Sequence, residues 1–307
     1  MDVYEESDPA RLSWAAATCA LVLASDLQSS GGDAYTLRTY AYRIAGLPPC
    51  DGERFANQPT AAFCTGFMVK GDLIATAGHC LHPTDLPYVR FVFGFDMKNA
   101  TTPNLSFTAD QIYTGVEIVA RRYSWDYDYA IVRVDREIVA PGASALPLRT
   151  EGAIAVGEQV GVIGHPAGLP KKIAFGDNTV VRENNNPAYL VANLDTYGGN
   201  SGSPVFNAAT RIMCLNPPAS DQMYCPTTAA GARTYPKAPH SLPLFTMSII
   251  RRRPTTIATK PSQFEKTLSR RAARLALPGR PARRPAGMTT AQASGTYGYH
   301  RAAARRA

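Results

Sequence analysis

The sequence predicts an all-β fold, and three observations predict it. Short runs rich in Val, Ile, Phe and Tyr recur at 61–70, 73–77, 88–95, 115–121, 129–135, 159–163, 189–196 and 203–207. Gly, Pro, Asn or Asp bound each run, as expected of strands ended by turns. No long stretch of helical period lies between them, which excludes alternating βαβ units and leaves a barrel or a sandwich. The 307 residues are enough for two packed units. The stretch 139–152 (VAPGASALPLRTEG) reads as the connector between two halves.

Charge divides the chain unevenly. Residues 1–211 hold 16 Lys+Arg and 22 Asp+Glu, whereas residues 212–307 hold 16 Lys+Arg and only Asp221 and Glu265. That last stretch also has 11 of the 24 prolines but 5 of the 24 glycines. Its Arg/Ala/Pro-rich segments offer little apolar surface to offset the entropy of ordering, apart from the run 242–250. The composition therefore breaks near residue 211, and 251–307 is expected to be a basic, disordered tail.

Taken in order, the first apolar run covers 14–24. Asp2, Glu5, Glu6 and Asp8 precede it, where a signal peptide would begin with basic residues. It is read as a buried strand, so a targeting segment lies upstream of Met1 or has been removed. No apolar run approaches the roughly 18 residues that span a bilayer.

The segment 63–80 carries the first chemical motif. A strand rises, turns at Gly71-Asp72 and returns to deliver His79 at its end. An imidazole titrates near about 6.5, so it can take a proton from a hydroxyl and return it to a leaving amine. Cys64 and Cys80 flank this hairpin, 16 residues apart. A bridge between them would pin His79 and stabilise the fold by about 3 kcal/mol through the unfolded chain.

The second motif, Asp126-Tyr127-Asp128-Tyr129-Ala130-Ile131-Val132, places an aspartate before a buried strand. A carboxylate there could orient a histidine by accepting from its second nitrogen. Asp128 is the candidate and Asp126, two residues earlier, its rival. The third motif is the most specific: residues 195–206 read DTYGGNSGSPVF. Two glycines before Ser201 permit a tight turn that can aim the N–H groups of Gly199 and Ser201 at one point. Such donors stabilise an oxyanion, each contributing about 10²–10³ in rate.

Together these strings resemble the chymotrypsin/trypsin-like serine peptidases, and within them the bacterial glutamyl-endopeptidase-like branch. Thr76-Ala77-Gly78-His79-Cys80 matches the histidine motif, with Cys64 where the family places the partner cysteine. Asp-x-Ala-Ile-Val at 128–132 and Gly198-Gly199-Asn200-Ser201-Gly202-Ser203 match the other two. The resemblance covers roughly 1–211 and includes 51–64 and the loop 162–168, in which His165 is expected to be structural. It implies a double β-barrel chymotrypsin-like fold with the site in the cleft. Residues 1–140 would form an N-terminal extension and the first barrel, with His79 and Asp128. Residues 153–211 would form the second barrel, with Ser201 and an outer limit near 250. The triad implied is His79, Asp128 and nucleophile Ser201, with Gly199 and Ser201 forming the oxyanion hole.

Departures from the family are informative. Asn200 stands where trypsin-like enzymes have an aspartate that pairs with a new N-terminus; the glutamyl branch also has Asn there, and the neutral amide argues against trypsin-style activation. Asp195, six residues before Ser201, matches the acidic base of a trypsin specificity pocket, which could favour Arg or Lys, whereas the glutamyl branch reads acidic residues, so the preference stays open. Thr196 is the other candidate pocket residue. No Gly-x-His-Trp-Gly-like string of the glutamyl branch follows Ser201. After Arg211 the family needs a further strand, but this chain reads Ile212-Met213-Cys214-Leu215-Asn216-Pro217-Pro218, and prolines disrupt a central ladder. The break looks like a changed reading frame, which would leave the second barrel incomplete.

The resemblance implies a secreted or periplasmic, monomeric endopeptidase acting on peptide or protein substrates through an acyl-enzyme, with no cofactor and no metal. The alternative is a catalytically impaired protein of the same fold. No nucleic-acid partner is expected of residues 1–211, whereas the basic tail is a candidate for binding anionic surfaces. Cys19–Cys50 and Cys214–Cys225 are candidate further pairs.

Overall fold

A computed structural model describes residues 1–43, 48–124, 127–149, 153–187, 189–207, 212–216 and 256–259, the last two stretches as backbone. Helix α1 (Pro9–Ala16) leads into β1 (Thr18–Leu23). β2 (Leu27–Gly31), β3 (Ala34–Leu37), β4 (Tyr40–Ala41) and β5 (Pro59–Thr60) follow. β6 (Cys64–Lys70), β7 (Leu73–Thr76), β8 (Val89–Phe93), β9 (Ser106–Thr108), β10 (Ile112–Tyr123) and β11 (Asp128–Val134) complete the first half. The second half holds β12 (Val160–Gly164), β13 (Lys172–Ala174), β14 (Val181–Glu183), β15 (Tyr189–Ala192), β16 (Pro204–Asn207), β17 (Ile212–Asn216) and β18 (Thr256–Thr259).

The run expected to be one strand over 14–24 divides in two. The Asp8 side chain accepts from the Ala10 N–H at 2.8 Å and Pro9 follows, so the chain enters a helix here. Trp14 belongs to that helix, and only Thr18–Leu23 is strand.

β1, β6, β7, β11, β10 and β8 close in that order into an antiparallel barrel. Leu21, Ile74, Phe91, Phe93, Tyr113 and Val132 fill it. β6 and β11 are buried along almost their whole length, because their outer faces pack on the second half. In that seam Phe67, Ala75 and Ile131 meet Ile163, Ile173 and Phe206 in one apolar cluster. Trp14 of α1 stacks on Phe206 at 4.5 Å, joining the helix to β16.

The second half is a seven-stranded sheet in the order β13-β12-β16-β17-β18-β15-β14. It curls back on itself. The segment leading into β12 meets β14 through a Gln159–Val180 bridge and through Val181 N–H donating to Glu158 O at 3.0 Å. Val160, Val162, Val181, Leu190 and Val205 form its core. The fold is thus all-β, with a closed first barrel and a curled second sheet.

The strand doubted after Arg211 is present. β17 pairs with β16 and β18 and stops at Asn216, ahead of Pro217. Thr256–Thr259, within the segment expected to be tail, enters the sheet as β18 between β15 and β17. The run 242–250 and residues 260–307 lie outside the described residues. Cys64 and Cys80 are bridged. The Cys19–Cys50 pairing is not made: Cys19 is free and buried, while Cys50 is already in a disulfide. Cys19 lies on a barrel strand with its side chain in the first core, where burial raises its thiol pKa to about 12. Cys225, and the Cys214–Cys225 pairing with it, lies outside the described residues.

Candidate active site

The β6–β7 hairpin, the start of β11 and the loop before β16 converge at the seam. β7 ends at Thr76, and a short 3-10 turn, Gly78–Cys80, carries His79 outward. The Cys64–Cys80 bridge ties the foot of β6 to this turn. Position 78 must be glycine: a Cβ there would lie 2.6 Å from Arg122 O and 2.9 Å from Asp128 Oδ1. The Arg121 side chain donates to Gly78 O at 2.8 Å and fixes the turn from the neighbouring strand.

Asp128 is the first residue of β11, whose Ala130 pairs with Thr76 of β7. It is 2% exposed. Its Oδ1 accepts the backbone N–H of His79 at 2.8 Å, and its Oδ2 lies 2.5 Å from His79 Nδ1. The other ring nitrogen, Nε2, lies 2.8 Å from Ser201 Oγ. A carboxylate can only accept, so the proton on the ring belongs on Nδ1 and leaves an acceptor on Nε2 for the hydroxyl. The imidazole is one-third exposed and Ser201 is buried, so the chain of three groups opens to solvent at the histidine. The Tyr123 ring, 62% exposed, stands 6.2 Å from the imidazole as an aromatic wall. The rival Asp126 lies outside the described residues.

The Ser201 loop is shaped by its peptide units. Asn200 N–H donates to Tyr197 O at 3.1 Å, and Ser203 N–H donates to Asn200 O at 2.9 Å. Gly198 O accepts from Ala167 N–H at 2.5 Å. In a trans peptide the N–H points opposite to the carbonyl. With the carbonyls of Gly198 and Asn200 engaged, the N–H groups of Gly199 and Ser201 point the other way. Neither donates to a backbone acceptor among the described residues. Gly199 has φ +94°, and a Cβ there would lie 2.4 Å from His165 O. Glycine is therefore required at 199 on two counts.

Thr65 of β6 holds this loop to the first half. Its N–H donates to Ser201 O and its hydroxyl to Gly199 O, both at 2.8 Å. The same Oγ1 accepts from His165 N–H at 3.0 Å. Sequence reading missed Thr65, because a threonine in a strand carries no mark of a partner 134 residues away. His165 itself is buried and stacked against Phe95, with Nδ1 on Leu169 O. Burial, aided by the nearby Lys171 charge, lowers its pKa to about 3.

Asp195 is exposed and Thr196 half-buried, on the loop after β15. Burial raises the Tyr197 phenol pKa, and the carboxylates of Glu53 and Asp195 add to the shift. Cys64, His79 and Cys80 place three metal-ligating atoms within 4.8 Å, but the two sulfurs are bonded to each other and are not thiolates.

Residues 64–213 match a family model described as the trypsin-like peptidase domain. Just under half of the chain is thus similar to a trypsin-like peptidase domain. The chain is 28% identical over 168 residues to a glutamyl endopeptidase of Staphylococcus aureus, covering 52% of this chain and 43% of that protein. It is 24% identical over 156 residues to a Bacillus subtilis protein named extracellular metalloprotease, covering 50% and 49%. The chain thus spans about half the length of these curated relatives. A solved Glu endopeptidase in complex with MPD aligns with a TM-score of 0.44 at 16% identity, covering 68% of this chain and 85% of that one. The stretch matched by that family model contains all three residues singled out from the sequence, His79, Asp128 and Ser201.

Proposed function

We propose that this trypsin-like peptidase domain is a serine endopeptidase acting outside the cell on peptide or protein substrates. The observation that carries this reading is the unbroken line Asp128 Oδ2–His79 Nδ1 and His79 Nε2–Ser201 Oγ, at 2.5 and 2.8 Å. Ser201 Oγ attacks the scissile carbonyl carbon while its proton passes to His79 Nε2. Asp128 holds the ring's tautomer and stabilises the imidazolium. The carbonyl oxygen takes the negative charge and accepts from the N–H groups of Gly199 and Ser201. Collapse breaks the C–N bond, and Nε2 gives its proton to the leaving amine. Water, deprotonated by the same nitrogen, then hydrolyses the ester and returns the proton to Ser201.

Asn200 supports this reading without trypsin-style activation, since a neutral amide makes no ion pair. Asp195 and Thr196 are the proposed pocket residues, and the Asp195 charge would favour a cationic side chain over an acidic one. The Cys64–Cys80 bridge fits an oxidising compartment.

The test is active-site labelling with a fluorophosphonate, together with turnover of peptides bearing Arg, Lys or Glu before the cleaved bond. Labelling at Ser201 is expected, with Arg and Lys substrates ahead of Glu. Ser201→Ala should lower kcat about 10⁶-fold, as triad knock-outs do. A folded protein that stays unlabelled at Ser201 would refute the proposal.

A further inference from the structure

An oxyanion hole requires that its N–H groups be held against rotation of their peptide units. The two candidate units differ in how they are held. Asn200–Ser201 is fixed within its own turn, through Ser203 N–H on Asn200 O. Gly198–Gly199 lies between two glycines, which offer no Cβ to oppose a turnover of the peptide plane. The bond on its carbonyl comes from another segment, the Ala167 N–H at 2.5 Å.

Ala167 is itself unusual. It has φ +53° and ψ +18°, the left-handed region, and only Phe55 shares a positive φ among the described non-glycine residues. An alanine there costs about 1 kcal/mol or more, and the surrounding structure must impose it. The bracing is visible on both sides of the loop. Gly168 O accepts from the N–H groups of Ala61 and Ala62, at 2.9 and 3.2 Å. His165 is held by Thr65 Oγ1 at its N–H and by Leu169 O at its ring. Gly199 sits directly on this loop, since a Cβ there would meet His165 O, Gly168 N and Ala167 N.

We propose that the 165–169 loop is a latch for the Gly198–Gly199 peptide, with Ala167 as its positioning residue. The proposal rests on the serine-peptidase reading of the site. With the latch made, Gly198 O is turned away and Gly199 N–H faces the place of the oxyanion. With the latch lost, the peptide is free to turn over and present a carbonyl oxygen there instead. Substrate would still bind, but the charge that develops in the transition state would lose a donor. Ala167 touches no reacting atom and acts only through this peptide.

The test uses the full chain with substitutions that separate the N–H from the backbone conformation. Ala167→Gly keeps the donor and adopts positive φ without strain, so kcat should stay within about twofold of the parent. Ala167→Val is disfavoured in the left-handed region, and Ala167→Pro removes the N–H and forces φ negative. Both should lower kcat by about 10²–10³, the cost of one oxyanion donor, with KM changed only a few-fold. Affinity for a peptide boronate, which places a negative oxygen in the hole, should fall in step with kcat. Ala167→Leu, a milder misfit, carries the test if the valine and proline variants do not fold. Unchanged kcat in folded valine, proline or leucine variants overturns the latch. So does a fall in kcat that follows loss of folding stability while boronate affinity per active site is unchanged. Ser201→Ala is the control: if it remains active, the serine-peptidase reading fails, whereas an inactive Ser201→Ala beside fully active Ala167 variants refutes the latch alone.

Discussion

His165 and His79 show how burial assigns different work to the same side chain. His79 is one-third exposed and lies between a carboxylate and a hydroxyl. His165 is fully buried, stacked on Phe95, with a pKa lowered to about 3 by its burial. The unfolded chain titrates near about 6.5. Between those values the unfolded state binds the extra proton, so His165 lowers stability progressively as pH falls below about 6.5. His165→Asn should flatten that slope between pH 7 and pH 4, read as urea midpoints; an unchanged slope would show that other groups govern it. His79, Asp128 and Ser201, which the structure brings into one chain of hydrogen-bond distances, could be singled out as candidates because each sits in a short string whose chemistry is local. The structural role of His165 was legible too. Thr65 and Ala167 were not, because what they do depends on backbone groups far along the chain.

Among the elements, the β6–β7 hairpin links fold to site most directly. Its foot and its outgoing turn are joined by Cys64–Cys80, with a sequence separation of 16. Removing the bridge with Cys64→Ala and Cys80→Ala should cost about 3 kcal/mol. For a domain of this size that is a fall in Tm of roughly 6–12 °C, measurable by calorimetry. A loss below about 1 kcal/mol would mean that Asp128 and Arg121 hold the turn without it. The long strands of the first barrel were legible from β-branched and aromatic runs between turn residues. α1 was hidden by the apolar continuity of 14–24, where the Asp8-Pro9 start signal was outweighed. β13 and β14 have three residues each, too short for a period to register. β17 and β18 lie where the basic, proline-rich composition argues against strands, and only their pairing partners place them in the sheet.

At the scale of the molecule, the two halves are held by more than apolar packing. Lys172 Nζ, on β13, donates to Asp2 Oδ1, Gln58 Oε1 and Pro170 O at 2.5, 2.6 and 2.8 Å. Gln58 also donates to Asp2 Oδ2 at 2.9 Å, and all three side chains are buried. Burial lowers the Lys172 pKa, while Asp2 opposes that shift. Lys172→Ala leaves the Asp2 carboxylate buried without its cation and should cost about 3–5 kcal/mol by urea unfolding. Replacing both, Asp2→Leu with Lys172→Met, should restore most of that loss, since a packed apolar pair avoids the desolvation cost. Equal losses in the single and double variants would contradict the account. None of this network was legible, because its members lie up to 170 residues apart.

Thr65 gives the seam a further property. His79 and Ser201 come from different halves, so a relative drift of those halves would ordinarily pull imidazole and hydroxyl apart. Here the serine's own carbonyl and that of Gly199 are fastened to the strand whose hairpin ends at the histidine. Breathing between the two halves must then be taken up elsewhere in the second sheet, and the imidazole and the hydroxyl travel together.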